Sequence, residues 1–144
     1  MWDESESICL DILAVAPDHQ EVLITLLLAL TDKFADSGLN PSFAEAKQTV
    51  DKLDSAYCKS YYSGIVFERR AKHHLRQSEP GSCSLAYEWF VKAMEAFDQA
   101  MHGCDPDNQD AVLRWNSCAR IINSRPDLGP DDTATSETPL DTYE

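Results

Sequence analysis

The sequence predicts an all-α fold. Apolar residues recur at helical spacing over most of the chain, and few stretches show the alternation that is typical of strands. Only five glycines occur in 144 residues, and four of them lie near or between the apolar periodic segments. This length and a hydrophobic content of 43% suit one domain with a real core, and exclude a wholly disordered chain.

Two helices are predicted in the first quarter of the chain. The first covers about residues 7–16, because Ser5 or Ser7 can cap its start and Pro17 ends it. The second covers about residues 19–34 and has apolar side chains that point in nearly all directions: Val22, Leu23, Ile24, Leu26, Leu27, Leu28 and Leu30. A helix that is apolar all round is expected to be buried all round.

The next two helices follow a predicted loop at 36–41, where glycine, asparagine and proline cluster. Ser42 and Glu45 have the spacing of a capping box, so a third helix is predicted over about 42–53. The fourth covers about 55–77, with an apolar stripe made of Tyr57, Tyr61, Gly64, Ala71 and Leu75.

A turn that contains glycine and proline precedes each of the last two helices. After a break at 78–82, the fifth helix is predicted over about 84–102, with one wide apolar stripe of Ala86, Tyr87, Phe90, Ala93, Met94, Phe97 and Met101. After a turn at 103–107, Asn108 can cap a sixth helix that reaches about residue 123.

The composition changes after residue 123. Residues 124–144 are acidic, hold three prolines and show no apolar period. We therefore expect a helical domain over residues 1–123 and a disordered acidic tail over 124–144.

Parts of the helical pattern repeat. The small, aromatic and apolar positions Ala46, Val50 and Leu53 have the same spacing as Ala93, Phe97 and Ala100. Pro-Asp turns precede the second and the sixth helix at 17–19 and 106–108, and Gly64 and Phe67 lie three residues apart in the fourth. Helix pairs with these positions resemble the tetratricopeptide repeat (TPR), although the Pro-Asp turns lie further apart than two repeats of about 34 residues would place them.

The resemblance covers roughly residues 6–123 and implies a short right-handed solenoid of about six helices. In such a stack the second, fourth and sixth helices line a concave face. Residues 67–72 and 113–120 also look like small bacterial TPR proteins of no assigned activity.

The net charge of -13 and the sequence pI of about 4.5 argue against nucleic acid and anionic lipid as partners. The chain has five cysteines, an odd number, and no CxxC motif. This favours a reducing compartment over a disulfide framework. The acidic start does not look like a secretory signal, and the longest apolar run, at 22–30, is too short for a membrane span. We therefore expect a cytoplasmic protein.

The basic residues are concentrated in one segment. Residues 59–76 hold five Lys and Arg side chains against Glu68 alone, whereas residues 1–32 hold seven acids and no Lys or Arg. A basic stripe on the fourth helix, faced by Arg114 and Arg120 on the sixth, would suit an acidic peptide or a terminal carboxylate. The alternative is that these cations pair with the chain's own excess acids.

These observations favour a protein-interaction module, adaptor or chaperone-like, that holds a peptide in the concave groove. The expected contact residues are Tyr62, Arg69, Arg70, His73, Arg114, Asn116 and Arg120. Of the residues with which some TPR proteins hold a terminal carboxylate, only Arg114 has a clear match here. The resemblance therefore favours a more apolar and aromatic groove.

Two alternatives stay open. One is an enzyme with an acid/base site built from Glu68 and a histidine, although Glu68 is better explained as a structural ion pair with Arg114 or Arg120. The other is a homo-oligomer held by the apolar second helix. We assign no catalytic residue and expect no cofactor or metal, because the histidines and cysteines lack the spacing of a zinc site and no phosphate or dinucleotide motif occurs.

Overall fold

The computed structural model describes residues 2–34, 39–77 and 79–130, and of Trp2 and Asp3 only the backbone. This part of the chain folds into helices and contains no strand, so the all-α prediction is confirmed. The helices are α1 (Trp2–Val15), α2 (Gln20–Asp32), α3 (Leu39–Asp51), α4 (Ala56–Leu75), α5 (Ser82–His102) and α6 (Asp110–Ser124). Residues 36–38, which are half of the predicted loop at 36–41, and the part of the predicted tail from 131 onward lie outside the described residues.

Side-chain hydrogen bonds stabilise the starts of several helices. The His19 ring accepts a hydrogen bond from the Val22 amide at 3.4 Å, and Ser55 Oγ accepts one from the Cys58 amide at 3.2 Å. These bonds satisfy amides that have no partner within the helix. Asn108 Oδ1 likewise accepts from the Asp110 amide at 3.0 Å at the start of α6.

The start of α3 differs from the prediction. The helix begins at Leu39, and Ser42 is buried inside it, so the capping box at Ser42 and Glu45 is wrong. Pro41 falls in the first turn, where its missing N–H removes no intrahelical hydrogen bond. A proline at this place is compatible with the helix rather than the loop. The start of α1 also lies earlier than predicted, at Trp2.

The buried apolar residues form two clusters. The first lies among α1, α2 and α3 and the second among α4, α5 and α6. Side chains of α2 supply much of the first cluster, where Leu23 and Leu27 are fully buried. The helix is not buried all round as predicted, because Glu21, Thr25 and Asp32 form a narrow exposed strip.

Helix α4 joins the two clusters. Val66 belongs to the first cluster and Ile65 to the second, and α4 packs against α2, α3 and α5. It packs most extensively against α5, where Gly64 lies directly over the Phe97 ring. A Cβ on Gly64 would lie 2.5 Å from Phe97 Cε1, so only glycine allows this approach.

The packed chain continues past residue 123, where the helical domain was expected to end. Leu128 is buried in the second cluster. Asp127 accepts a hydrogen bond from the Arg125 guanidinium at 3.2 Å and one from Cys83 Sγ at 3.4 Å. Residues 125–128 therefore cover the start of α5. None of the helices in the described ranges is long and apolar enough to cross a membrane.

Candidate functional site

Three cations on one face of α4 line a cavity between α4 and the end of α2. Arg69, Lys72 and Arg76 are spaced by three and four residues, which places them on one side of the helix. The cavity has a volume of about 220 Å³, and its remaining walls are Thr31, Asp32 and Phe34. We call the three basic residues the cation cluster. Only one carboxylate, that of Asp32, belongs to this lining.

The three members of the cation cluster are differently engaged. The Arg69 guanidinium donates to Thr31 Oγ1 at 3.1 Å and to Asp32 Oδ1 at 3.2 Å, and both charged side chains are partly exposed. An ion pair of this kind contributes at most about 1 kcal/mol, so a ligand carboxylate can replace Asp32 at little cost. Arg76 forms no ion pair with any residue that the structure describes.

Lys72 is held by a buried carboxylate. Glu68 is only 2% exposed, and its Oε2 lies 2.9 Å from Lys72 Nζ while its Oε1 lies 3.6 Å from Arg114 Nη1. Within the described ranges these contacts are ionic, and neither carboxylate oxygen accepts a hydrogen bond of good geometry. The expected ion pair between Glu68 and Arg114 is confirmed, and Arg120 takes no part in it.

Arg114 connects α6 to this arrangement. Burial acts to lower the pKa of its guanidinium, but a hydrogen bond to the Tyr61 side chain and the nearby Glu68 carboxylate together raise it. One ion pair therefore joins Asp32 on α2 to Arg69 on α4, and a separate one joins Glu68 on α4 to Arg114 on α6.

Arg70 lies outside the cation cluster. Its guanidinium carbon is 4.4 Å from the ring centroid of Phe43 on α3 and 4.4 Å from that of Trp89 on α5. Burial lowers the pKa of Arg70, and its Nε lies 3.4 Å from His74 Nε2. The stacked guanidinium thus joins three helices.

The two histidines lie next to this stack. His74 is buried, and desolvation, followed by the neighbouring Arg70 and His73 charges, lowers its pKa to about 4. The pKa of His73 is lowered chiefly by burial and then by Arg76 and Arg70. The lowered pKa values favour the uncharged form of both rings.

The other predicted contact residues are placed apart from the cavity. Tyr62 is half-buried, packs against both core clusters, and its ring lies edge-on to that of Tyr61 at 5.0 Å. Burial is the main cause that raises the pKa of Tyr62. Asn116 and Arg120 are exposed on α6. The structure therefore places Arg69 in the cavity, Arg114 against the Glu68 carboxylate that pairs with Lys72, and the others elsewhere.

The described residues contain little that indicates other chemistry. No group of three or more His, Cys, Asp and Glu among them is close enough to hold a metal ion. The charged neighbours of Glu68 in this part of the chain are Lys72 and Arg114 rather than a histidine. The five cysteines are free thiols, and burial raises the pKa of Cys118 to about 12, which makes it a poor nucleophile.

Two groups of residues in and around the site were not among the predicted contacts. Lys72 and Arg76 belong to the basic stripe, and their spacing from Arg69 is a signal that could have placed them on the same face. Phe43 and Trp89 carried no such signal, because their meeting around Arg70 depends on the packing of three helices.

No protein-family model matches the chain, and neither the curated proteins nor the solved structures contain a significant match to it.

Proposed function

We propose that this chain is an interaction module that binds an acidic peptide segment of another protein on the face formed by α2, α4 and α6. The observation that carries the proposal is the cation cluster, which lines a cavity with a single acid in a chain of net charge -13. Such a concentration of cations against an acidic background selects for anionic ligands and steers them toward one place.

Binding uses the unequal engagement of the three cations. Arg69 exchanges Asp32 for a ligand carboxylate, and its planar fork holds the new partner through two parallel hydrogen bonds. Arg76 supplies a second positive charge without first breaking an ion pair in the described structure. Lys72 stays near Glu68 and adds to the positive potential.

The proposal includes the wider TPR-like arrangement predicted from the sequence. Contacts from α2 to α4 and from α4 to α6 support it, since these are the helices that would line the concave face. An adaptor or chaperone role in the cytoplasm fits a module that recognises acidic segments, and the free thiols fit a reducing compartment. The contacts of Glu68 favour a structural role over an acid/base site.

The experiment is a binding assay on an array of labelled peptides that vary in the number and order of Asp, Glu and apolar residues. Arg69→Gln with Arg76→Gln removes two charges from the cation cluster and leaves the Lys72–Glu68 pair intact. The matched control, Lys59→Gln with Lys92→Gln, removes two charges from the separate groove between α4 and α5.

We expect the cluster variant to lose its acidic peptides, the control variant to keep them, and salt to weaken binding to the wild type. If the two variants bind the same acidic peptides equally well, or if the wild type binds none of them, the proposal is wrong.

A further inference from the structure

The outer face of α1 carries an apolar stripe that no part of the described chain covers. Ile8, Ile12 and Val15 are 60%, 39% and 87% exposed. Their spacing of four and three residues places them on one side of the helix. We call these three residues the α1 stripe.

The position of α1 is held by its opposite face. Cys9 is buried, Leu13 packs against the first core cluster, and Glu6 forms an ion pair with Lys33 at 3.0 Å. The α1 stripe is therefore not needed to attach the helix to the rest of the fold. Single exposed apolar residues are common on protein surfaces, but a contiguous row on one helix marks a contact surface.

The charges beside the stripe indicate what it contacts. Glu4 and Asp11 are exposed next to it, and residues 1–32 contain no Lys or Arg. In two copies packed through this stripe, carboxylates would face carboxylates, which disfavours a homodimer. The same charges disfavour an anionic membrane surface.

We propose that the α1 stripe docks an amphipathic helix of a partner protein that carries Lys and Arg beside its apolar face. Apolar anchors at helical spacing would pack between Ile8, Ile12 and Val15, and the flanking cations would meet Glu4 and Asp11. This is a recurring mode of helix recognition, in which apolar contacts supply affinity and charges fix orientation. The site is distinct from the cation cluster, and the two select partners of opposite charge.

The test uses two synthetic helical peptides that share an apolar face and differ in their flanks, one with Lys and one with Glu. The full chain is titrated into each labelled peptide and binding is followed by fluorescence anisotropy. The main variant carries Ile8→Ser, Ile12→Ser and Val15→Ser, which removes the stripe but leaves the net charge unchanged. Leu113→Ser, which alters an exposed leucine on α6, is the matched control.

We expect the wild type and Leu113→Ser to bind the Lys peptide and not the Glu peptide. The triple variant should bind the Lys peptide at least about tenfold more weakly, with an unchanged helical circular dichroism spectrum. The wild type, the triple variant and Leu113→Ser carry the same net charge. If the triple variant bound the Lys peptide as tightly as the wild type does, the binding would come from the net negative charge alone, and the proposal would be overturned. Failure of the wild type to bind the Lys peptide would also overturn it.

A second variant keeps the test valid if the triple variant does not fold. Glu4→Lys with Asp11→Lys retains the α1 stripe and reverses the charge of the residues beside it. This variant should therefore bind the Glu peptide and lose the Lys peptide. An unchanged preference would contradict the proposed role of the charges. Sedimentation of the wild type as a dimer that the triple variant converts to a monomer would assign the stripe to a second copy and refute the proposal.

Discussion

Replacing Gly64 by alanine tests the close contact between α4 and α5. A Cβ at this position would lie 2.5, 2.6 and 2.8 Å from three carbons of the Phe97 ring, where ordinary contact begins at 3.4 Å. The ring is fully buried and lies 5.7 Å from the Tyr61 ring, so it has little room to move. The substitution must therefore separate the helices or displace the ring.

The size of the effect follows from two opposing terms. Alanine is favoured over glycine in a helix interior by about 1 kcal/mol. Overpacking of a filled core costs about 1–3 kcal/mol, and a clash with three ring carbons belongs at the upper end of that range. We expect Gly64→Ala to lower the free energy of unfolding by about 1–2 kcal/mol, which corresponds to a fall in Tm of roughly 3–6 °C for a domain of this size.

The assay is urea unfolding followed by circular dichroism, with the midpoint as the readout and the slope as a check on two-state behaviour. Gly103→Ala is the matched control, because its φ of -111° is open to alanine and no atom lies within 4 Å of the added Cβ. It should change the free energy of unfolding by less than about 0.5 kcal/mol.

A double variant separates the steric cause from other effects. Phe97→Leu removes the ring that the new methyl group would meet, so Gly64→Ala should be neutral or stabilising on that background. The two changes would then be non-additive, as expected for residues in contact. If Gly64→Ala raised the midpoint in the wild-type background, as helix propensity alone requires, the described contact between α4 and α5 would be refuted.

Three further predictions concern ionisable groups of α4 and the partners that they contact. Because the pKa of His74 is about 4 when folded and about 6.5 when unfolded, stability should be complete above pH 6.5 and fall by up to about 3 kcal/mol as pH drops to 4. Urea midpoints of His74→Gln should show a shallower fall over this range, and parallel curves would contradict the assignment. Lys72→Met with Arg114→Met should lower the free energy of unfolding by about 3–5 kcal/mol, because it leaves the Glu68 carboxylate buried without a cation. Glu68→Gln should cost far less, since both cations keep access to water, and equal urea midpoints for the two variants would refute this asymmetry. Arg70→Lys should cost about 1 kcal/mol in the same assay, because an ammonium cannot stack between two rings, and an unchanged midpoint would show that the stack adds nothing.

Local sequence patterns predict one part of the candidate site and not another. The basic stripe at 59–76 was visible in the sequence, and its helical spacing is enough to place Arg69, Lys72 and Arg76 together. The spacing also shows that Arg70 points about 100° away from Arg69. It does not show that Arg70 meets two aromatic rings there, because those rings lie on helices far away in the chain.

The same division applies to the fold. By itself, the sequence determined the helical class, the approximate position of each helix and the acidic character of α1, because these depend on neighbours within a few residues. The tertiary structure decided that α3 begins at Leu39, that Leu128 packs into the core and that the α1 stripe is left exposed. These features depend on which helices pack together. Contacts between residues far apart in the chain cannot be predicted from the helical spacing of neighbouring residues.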